Sequence, residues 1–374
     1  MTTFNIIPEA KGPPRWINSG GGVIVHPSQR TVDEGDVPSF AFDVYPGYQV
    51  AKVKTWPVVP ESDWIEVQPA GALTQYWHGS AMSADGSVIL VSAGNAGFAG
   101  YGRLYLSLDG GDSWDETRPV GDVDRYWRGV AVSGDGSTLL AGAEGARLYL
   151  SENAGTSWTE VQPAGAVDLN WQFTTVSSDG EIIFVAPNWG RLYRSINGGT
   201  GWSELTPAGA ADKEWLDCDS SSDGQVVLAA NHVRLWLSVN GGTGWTEQRP
   251  LGDADHYWAA CGVSGDGAVL LAAEDIGRIY LSFNGGTNWT ETKPAGDFEL
   301  RWSSVAISAD GSSILMTNFT KRLWLSRDSG TTWVEQQPLE NDGDFNWETC
   351  CMDSTGDRMI AGIDGGLLYE YGAP

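Results

Sequence analysis

The sequence predicts an all-β fold, a seven-bladed β-propeller of four-stranded blades that is closed by an N-terminal strand and preceded by a β-rich extension. A turn motif that ends in tryptophan recurs at intervals of 43 or 44 residues, with one longer interval of 50. A second tryptophan follows the first at 13 or 14 residues in each repeat. The apolar runs between these landmarks are short and show no helical period, which is typical of strands.

The N-terminal segment differs in composition from the repeats. Residues 1–22 contain three prolines and end in a Ser-Gly-Gly-Gly run, which favours an extended arm or linker. Residues 23–58 contain strand-like runs, among them QVAKVKTW, separated by turn residues. We expect a small β-rich module or strap over 23–58 and the propeller over 59–374.

The turn motif reads Ser-x-Asn/Asp-x-Gly-x-x-Trp. Glycine accepts positive φ without steric cost, so Asn-Gly-Gly favours a tight turn. The Asn or Asp side chain is suited to accept hydrogen bonds from backbone N–H groups across that turn. Six copies occupy residues 107–114, 151–158, 195–202, 238–245, 282–289 and 326–333.

Each repeat contains four strand-like runs, named A to D here. Strand A begins at the second tryptophan, B follows a Ser-x-Asp-Gly turn, C reads Arg-Leu-Tyr-Leu-Ser or a near copy, and D follows the turn motif. A repeat of this length with four strands is typical of a propeller blade. The chain enters with a lone D strand at 63–69 and ends after a C strand at 367–371. These two strands are predicted to pair, which closes the ring and removes a free sheet edge.

The six turn motifs match the Asp-box (BNR) repeat, with departures at its Thr/Ser position. The chain therefore resembles the sialidase-like, sortilin-like and photosystem II assembly factor-like propellers over residues 63–371. The resemblance implies the fold, but Asp boxes are structural turns in proteins of many functions. A sialidase would also need an Arg-Ile-Pro motif, which this sequence lacks.

Arginines at the start of strand C occur in six repeats, which indicates a structural role. An acidic residue also lies three positions before the second tryptophan in six repeats. The arginine is missing in the last repeat and the acid in the first, and these repeats are neighbours in a closed ring. We therefore predict an ion pair at each remaining junction. The pairs are Arg103–Asp124, Arg147–Asp168, Arg191–Asp212, Arg234–Asp255, Arg278–Glu299 and Arg322–Asp344.

Two carboxylates interrupt strand A of the fourth repeat. Asp217 and Asp219 stand where the other repeats have Gly, Ala, Phe, Ser, Thr or Cys. Residues two apart on a strand share a face, and strand A is innermost, so both carboxylates are expected at the central channel. They are candidates for an acid–base pair or a metal site. The alternative is a solvated channel wall.

Large rings stand at variable positions in the B–C and D–A loops, which emerge on one rim of the ring. Exposed rings with polar edges suit the binding of a sugar or a protein. The alternative is that these rings pack between the blades. The candidate binding residues are Phe98, Tyr101, Trp189, His232, Phe319, Tyr126 and Tyr257.

Charge and composition limit the partners. With 22 Lys and Arg against 48 Asp and Glu, the formal net charge is −26, which argues against nucleic acid and anionic membranes. No run of 18 apolar residues and no basic-then-apolar N-terminus is present, so neither membrane insertion nor a signal peptide is expected. The four cysteines suggest neither disulfides nor zinc. No cofactor is expected, although the acidity leaves Ca²⁺ binding open.

The leading interpretation is a non-catalytic binding or structural propeller. It would present the rim rings to a glycan or protein, while residues 1–58 attach it to a larger assembly or a second copy. A virion or cell-surface assembly fits these features and favours an extracellular location, with a cytoplasmic one left open. The alternatives are a glycoside-active enzyme that uses Asp217 or Asp219, and an intracellular assembly factor.

Overall fold

The computed structural model describes residues 5–10, 50–56, 64–71, 74–95, 101–296, 298–319, 322–338 and 345–372. The chain divides into two compact units, Met1–Ser62 and Asp63–Pro374. Within the described ranges every regular element is a strand. No helix in those ranges is long and apolar enough to cross a membrane.

The first unit contains a two-stranded antiparallel sheet. Strand β1 (Asn5–Ala10) pairs with β2 (Val50–Trp56), and Asn5 lies opposite Trp56. Residues Val50–Trp56 of the run QVAKVKTW thus form a strand. The division between an arm (1–22) and a module (23–58) stays a prediction, because residues 11–49 lie outside the described part.

The second unit contains seven antiparallel four-stranded blades in a ring, which confirms the predicted seven-bladed β-propeller. Blades 1 to 3 have simple A-B-C-D order. Blade 1 contains β4 (Gln75–Met82), β5 (Ile89–Asn95), β6 (Gly102–Ser107) and β7 (Asp115–Thr117). Blade 2 contains β8 (Trp127–Val132), β9 (Leu139–Ala143), β10 (Leu148–Ser151) and β11 (Thr159–Val161). Blade 3 contains β12 (Trp171–Val176), β13 (Ile183–Pro187), β15 (Leu192–Ser195) and β16 (Ser203–Leu205).

Blades 4 to 6 repeat this order, and a short strand from the B–C loop of blade 3, β14 (Trp189–Gly190), adds to the inner edge of blade 4. Blade 4 contains β17 (Lys213–Ser220), β18 (Val227–Asn231), β19 (Arg234–Ser238) and β20 (Thr246–Gln248). Blade 5 contains β21 (Trp258–Val263), β22 (Leu270–Glu274), β23 (Ile279–Ser282) and β24 (Thr290–Thr292). Blade 6 contains β25 (Trp302–Ile307), β26 (Ile314–Asn318), β27 (Leu323–Ser326) and β28 (Val334–Gln336).

Blade 7 joins the two ends of the propeller. It contains β29 (Trp347–Met352), β30 (Met359–Ile363), β31 (Leu368–Tyr371) and β3 (Trp64–Val67). Strand β3 pairs with β31, with Trp64 opposite Tyr371 and Val67 opposite Leu368, which confirms the predicted closure.

A buried ion pair reinforces the closing junction. The guanidinium of Arg358 donates to Glu370 Oε1 at 3.1 Å and to the carbonyl of Gly110 in blade 1 at 2.6 Å. Glu370 is 2% exposed, and burial raises the pKa of its carboxyl above the usual range. This contact links blade 7 to blade 1, where the repeated arginine pair is missing.

The hydrophobic cores lie between blades. The second tryptophan of every repeat is 2 or 3% exposed and packs against strands of the preceding blade. Seven separate clusters of buried residues result, one at each junction. Each blade is therefore stabilised by packing against both neighbours. Replacement of one such tryptophan by alanine is expected to lower the free energy of unfolding by about 3–5 kcal/mol.

The turn motifs have the predicted hydrogen bonds. In blade 1, Gly111 N–H donates to Ser107 Oγ at 2.7 Å, and Ser113 N–H donates to Asp109 Oδ1 at 2.9 Å. The indole of Trp114 donates to the Gly111 carbonyl at 2.9 Å. Gly111 has φ of +98°, a conformation that a side chain rarely adopts.

Four of the six predicted arginine–acid pairs are present. The closest atoms lie 2.5 to 2.9 Å apart in Arg103–Asp124, Arg147–Asp168, Arg191–Asp212 and Arg234–Asp255. Arg278 lies 3.6 Å from Glu291 and donates to the Gly296 carbonyl, and its pairing with Glu299 stays a prediction. Asp344, the predicted partner of Arg322, lies outside the described residues.

Each of these six arginines also contacts a glutamate of its own strand D, which the sequence analysis missed. The glutamates stand two residues after the first tryptophan, so a repeated signal was present. They are Glu116, Glu160, Glu204, Glu247, Glu291 and Glu335, at 2.5 to 3.7 Å.

We expect the closing strand to dominate the stability of the ring. Deletion of residues 1–70 removes Trp64, which is 5% exposed, and leaves β31 with a free edge. The melting temperature should fall by about 10 °C relative to a variant that lacks only residues 1–62. Calorimetry of the two truncations checks this, and equal melting temperatures would show that β3 does not hold the ring.

Candidate functional site: the mouth of the central channel

A cavity of about 670 Å³ lies at the centre of the second unit and is lined by strand A of every blade. The residue directly after the second tryptophan faces this cavity in all seven blades. These positions follow the D–A loops, so they form a ring at one end of the channel, called the mouth ring here. The mouth ring consists of His78, Arg128, Gln172, Leu216, Ala259, Ser303 and Glu348.

The opposite end of the channel is held by a closed circle of backbone hydrogen bonds between neighbouring A–B turns. The seven junctions are bridged at 2.7 to 3.3 Å, and the residues at the centre of the circle are Ala, Gly or Ser. They are Ala84, Gly134, Ser178, Ser222, Gly265, Ala309 and Ser354. Chemically distinctive side chains are therefore concentrated at the mouth.

One side of the mouth ring is a polar network. The imidazole Nδ1 of His78 lies 3.1 Å from Glu348 Oε1, and Arg128 lies 3.5 Å from the same oxygen. Arg128 also donates to the hydroxyl of Tyr126 at 2.8 Å and lies 4.8 Å from the centre of that ring. Since a carboxylate only accepts, Nδ1 of His78 carries the proton, and the lone pair of a neutral ring lies on Nε2. That nitrogen is buried and has no hydrogen bond within the described structure.

The opposite side of the mouth ring has shorter or less polar side chains. They are Leu216, Ala259 and Ser303. At the rim beside them, Arg301 lies 3.0 Å from Asp275 and 5.0 Å from the centre of the Phe319 ring. The mouth is therefore asymmetric, with a fixed polar wall facing a more open wall.

The predicted rim residues fall into three groups. Tyr101 is 48% exposed, and its ring contacts that of Tyr126, which is partly buried against His78. His232 and Phe319 line the cavity. Trp189 and Tyr257 are exposed on blades 3 and 5, and Phe98 lies outside the described residues. The binding role of these residues stays a prediction.

Strand pairing and side-chain contacts relate three of these rings across blades 3, 4 and 5. Trp189 lies opposite Glu214 in the pairing of β14 with β17. The carboxylate of Glu214 lies 3.0 Å from Nδ1 of His232, and the His232 ring centre lies 4.5 Å from that of Tyr257. We call Trp189, Glu214, His232 and Tyr257 the aromatic ledge.

Asp217 and Asp219 both lie at the channel wall, as predicted, and each carboxylate bridges blades 4 and 5. Asp217 accepts the N–H of Cys218 at Oδ1 and that of Cys261 at Oδ2, each at 2.8 Å. Asp219 accepts the N–H groups of its neighbour Ser220 and of Val263 at the same distance. All four oxygens are thus used by backbone donors, two of them on the next blade. A catalytic role for this pair stays a prediction.

Burial raises the pKa of Asp217 to about 7 and that of Asp219 to about 6, against the lowering effect of these hydrogen bonds. The folded state therefore favours the protonated form more than the unfolded state does. The resulting contribution to stability is full at low pH and is lost as the pH rises through about 6 to 7.

Metal and thiol chemistry have little support at this site. No group of three or more His, Cys, Asp or Glu within the described ranges is arranged to hold a metal ion, and Ca²⁺ binding stays a prediction. All four cysteines are free and buried. Burial raises the pKa of the Cys350 and Cys351 thiols to about 12, which disfavours a reactive thiolate.

None of the mouth-ring residues was predicted as a site residue from the sequence. His78, Arg128 and Glu348 stand at the same position of their repeats, directly after an invariant internal landmark. A comparison of that one position across the repeats was a usable signal, because it is the place where seven blades carry seven different residues.

No protein-family model matches the chain, and no curated protein matches its sequence. Solved structures match its fold. YCF48 bound to D1 peptide matches with a TM-score of 0.62 at 17% identity, over 83% of this chain and 96% of that chain. YCF48 from Cyanidioschyzon merolae matches with a TM-score of 0.62 at 14% identity, over 82% and 98%. The GH74 xyloglucanase from Xanthomonas campestris matches with a TM-score of 0.61 at 15% identity, over 81% of this chain and 52% of that chain. At these identities the similarity shows the propeller fold.

We expect replacement of both carboxylates to reduce the pH dependence of the free energy of unfolding. Wild type should lose stability relative to the Asp217→Asn/Asp219→Asn variant as the pH rises from 5 to 8, by on the order of 2–4 kcal/mol. Urea denaturation at both pH values measures the difference, with Asp253→Asn, an exposed side chain, as the control. A difference between wild type and the double variant that is the same at both pH values would contradict the role assigned to burial.

Proposed function

We propose that this chain is a non-catalytic protein-binding propeller that holds a segment of a partner protein at the mouth of its channel. The observation that carries the proposal is the mouth ring. The tryptophan before each mouth-ring position is the same in all blades, because every junction must fill the same core. The mouth-ring residue itself differs in every blade and faces the cavity. A position freed from packing and turned toward an open cavity is where a binding site can be built on a repeated fold.

The chemistry of the mouth suits a polypeptide segment. The His78–Glu348–Arg128 network offers fixed polar groups, and the side around Ala259 offers space for a side chain. The exposed rings at the rim add apolar faces with polar edges, which are enriched at protein interfaces. Binding of the D1 peptide by YCF48, a propeller of similar fold, supports a peptide over a glycan as the ligand.

A glycoside-active enzyme is the second candidate. The raised pKa of Asp217, about 7, is suited to a general acid, and a GH74 xyloglucanase shares the fold. The backbone hydrogen bonds to every oxygen of Asp217 and Asp219 support a structural role for the pair instead, since a catalytic carboxyl must reach its substrate.

Two further parts of the proposal concern the rest of the chain. We assign the turn motifs to the Asp-box repeat, where they join strands C and D of blades 1 to 6. We assign residues 1–58 to attachment, either to a second copy or to a larger assembly. Light scattering of the full chain and of the variant that starts at residue 63 tests attachment to a second copy, and an equal mass per particle would argue against it.

Blocking the mouth tests the binding proposal. Wild type, Ala259→Trp and Val239→Trp are each incubated with an array of random 12-residue peptides and with a glycan array. Ala259 lies in the mouth ring, whereas Val239 is an exposed residue of a turn motif and serves as the matched control. We expect peptide signals that fall at least about tenfold in Ala259→Trp and persist in Val239→Trp.

Two outcomes would contradict the proposal. One is binding of glycans without binding of peptides. The other is equal peptide binding by Ala259→Trp and wild type, with both variants folded by circular dichroism.

A further inference from the structure

Two arginine clusters at the mouth share one arrangement. Arg128 lies over the ring of Tyr126 and contacts the carboxylate of Glu348. Arg301 lies over the ring of Phe319 and contacts the carboxylate of Asp275. In each cluster a guanidinium is held between an aromatic face and a carboxylate, a combination of cation–π attraction and charge-assisted contact.

In the aromatic ledge, His232 already lies between the carboxylate of Glu214 and the ring of Tyr257. The ring of Trp189 has no such group on it among the described residues. The ledge rings Trp189 and Tyr257 are 62% and 56% exposed, and the carboxylate of the ledge, Glu214, is 36% exposed at the side chain. Trp189 and Glu214 are cross-strand neighbours, so their side chains lie on the same face of the pairing. Within the described part of the propeller, no arginine or lysine of the chain stacks on either ring.

The charge of the cavity and of the whole chain favours a positive over a negative group as the ligand of the ledge. Two arginines and five carboxylates line the cavity. Both arginines are already paired with carboxylates. The chain as a whole carries a formal charge of −26, which attracts cations and repels anions at long range.

We propose that the aromatic ledge binds the guanidinium or ammonium group of a partner's arginine or lysine, so that the partner segment is basic. The cation lies on the face of Trp189 and contacts the carboxylate of Glu214, its cross-strand neighbour, as Arg128 and Arg301 contact a ring and a carboxylate within their own clusters. This inference rests on the proposed function, because it assigns the partner class for the same mouth.

The test uses the full chain and three capped decapeptides of Gly and Ser with three arginines, three glutamines or three glutamates. Fluorescence anisotropy at about 50 mM salt gives the Kd of each peptide. We expect the arginine peptide to bind wild type at least about tenfold more tightly than the glutamine peptide, and the glutamate peptide to bind most weakly.

Matched variants separate the ledge from the general acidity of the chain. Glu214→Gln and Trp189→Ala should each weaken binding of the arginine peptide about tenfold, whereas Trp189→Phe should retain it because an aromatic face remains. Glu181→Gln and Phe283→Ala are the controls. They make the same kinds of change on the opposite face of the ring, and we expect less than about a twofold effect there.

Three results would overturn the inference. One is equal affinity for the arginine and glutamine peptides, including no binding of either. The second is an equal loss in Glu214→Gln and Glu181→Gln, which would mean diffuse charge attraction only. The third is full binding by Trp189→Ala and by Glu214→Gln. If array peptides bind and are blocked by Ala259→Trp while arginine gives no advantage, the inference fails and the proposed function stands.

Discussion

Packing of the second tryptophan between neighbouring blades is the interaction on which the rest of the structure depends. Each of these indoles is almost fully buried against the preceding blade, and the apolar clusters lie at the junctions rather than inside single sheets. A blade without a neighbour would expose one such surface, so the array is stable only as a closed ring. The pairing of β3 with β31 joins the two ends of the propeller within blade 7, and the hydrogen bond from Arg358 to the Gly110 carbonyl links that blade to blade 1.

The same constraint separates positions that must repeat from positions that can vary. The A–B turns are joined to one another by backbone hydrogen bonds and place only Ala, Gly or Ser at the centre of the circle, so that end of the channel is uniform. The mouth ring and the loops around it have no packing role that all blades share. The side chains of the blades therefore differ most at this end of the channel. The Glu348 network lies on one side, Ala259 and Ser303 lie on the other, and the aromatic ledge lies on the rim. The carboxylates of Asp217 and Asp219 add a further asymmetry, because they cap backbone donors at a single junction.

Features that recur along the sequence could be predicted from it, whereas contacts that depend on neighbours in space could not. The blade count, the closing strand and four arginine–acid pairs followed from spacing alone. The circle of A–B turn hydrogen bonds could not be predicted, because it involves backbone groups. Strand β14 was missed because two residues in a loop carry no periodic signal. Asp217 and Asp219 were placed at the channel, but their donors on the next blade depend on the distance between inner strands. The mouth-ring residues were visible in the repeats, yet only the cavity shows that they face one another.

A crystal structure of the full chain with a peptide selected on the array would show where the partner segment binds. We expect peptide density in the mouth of the channel, with a basic side chain on the aromatic ledge beside Glu214 and another part of the peptide near Ala259. Density on the outer strands or on the face formed by the turn motifs, with the mouth occupied only by solvent, would contradict the proposal.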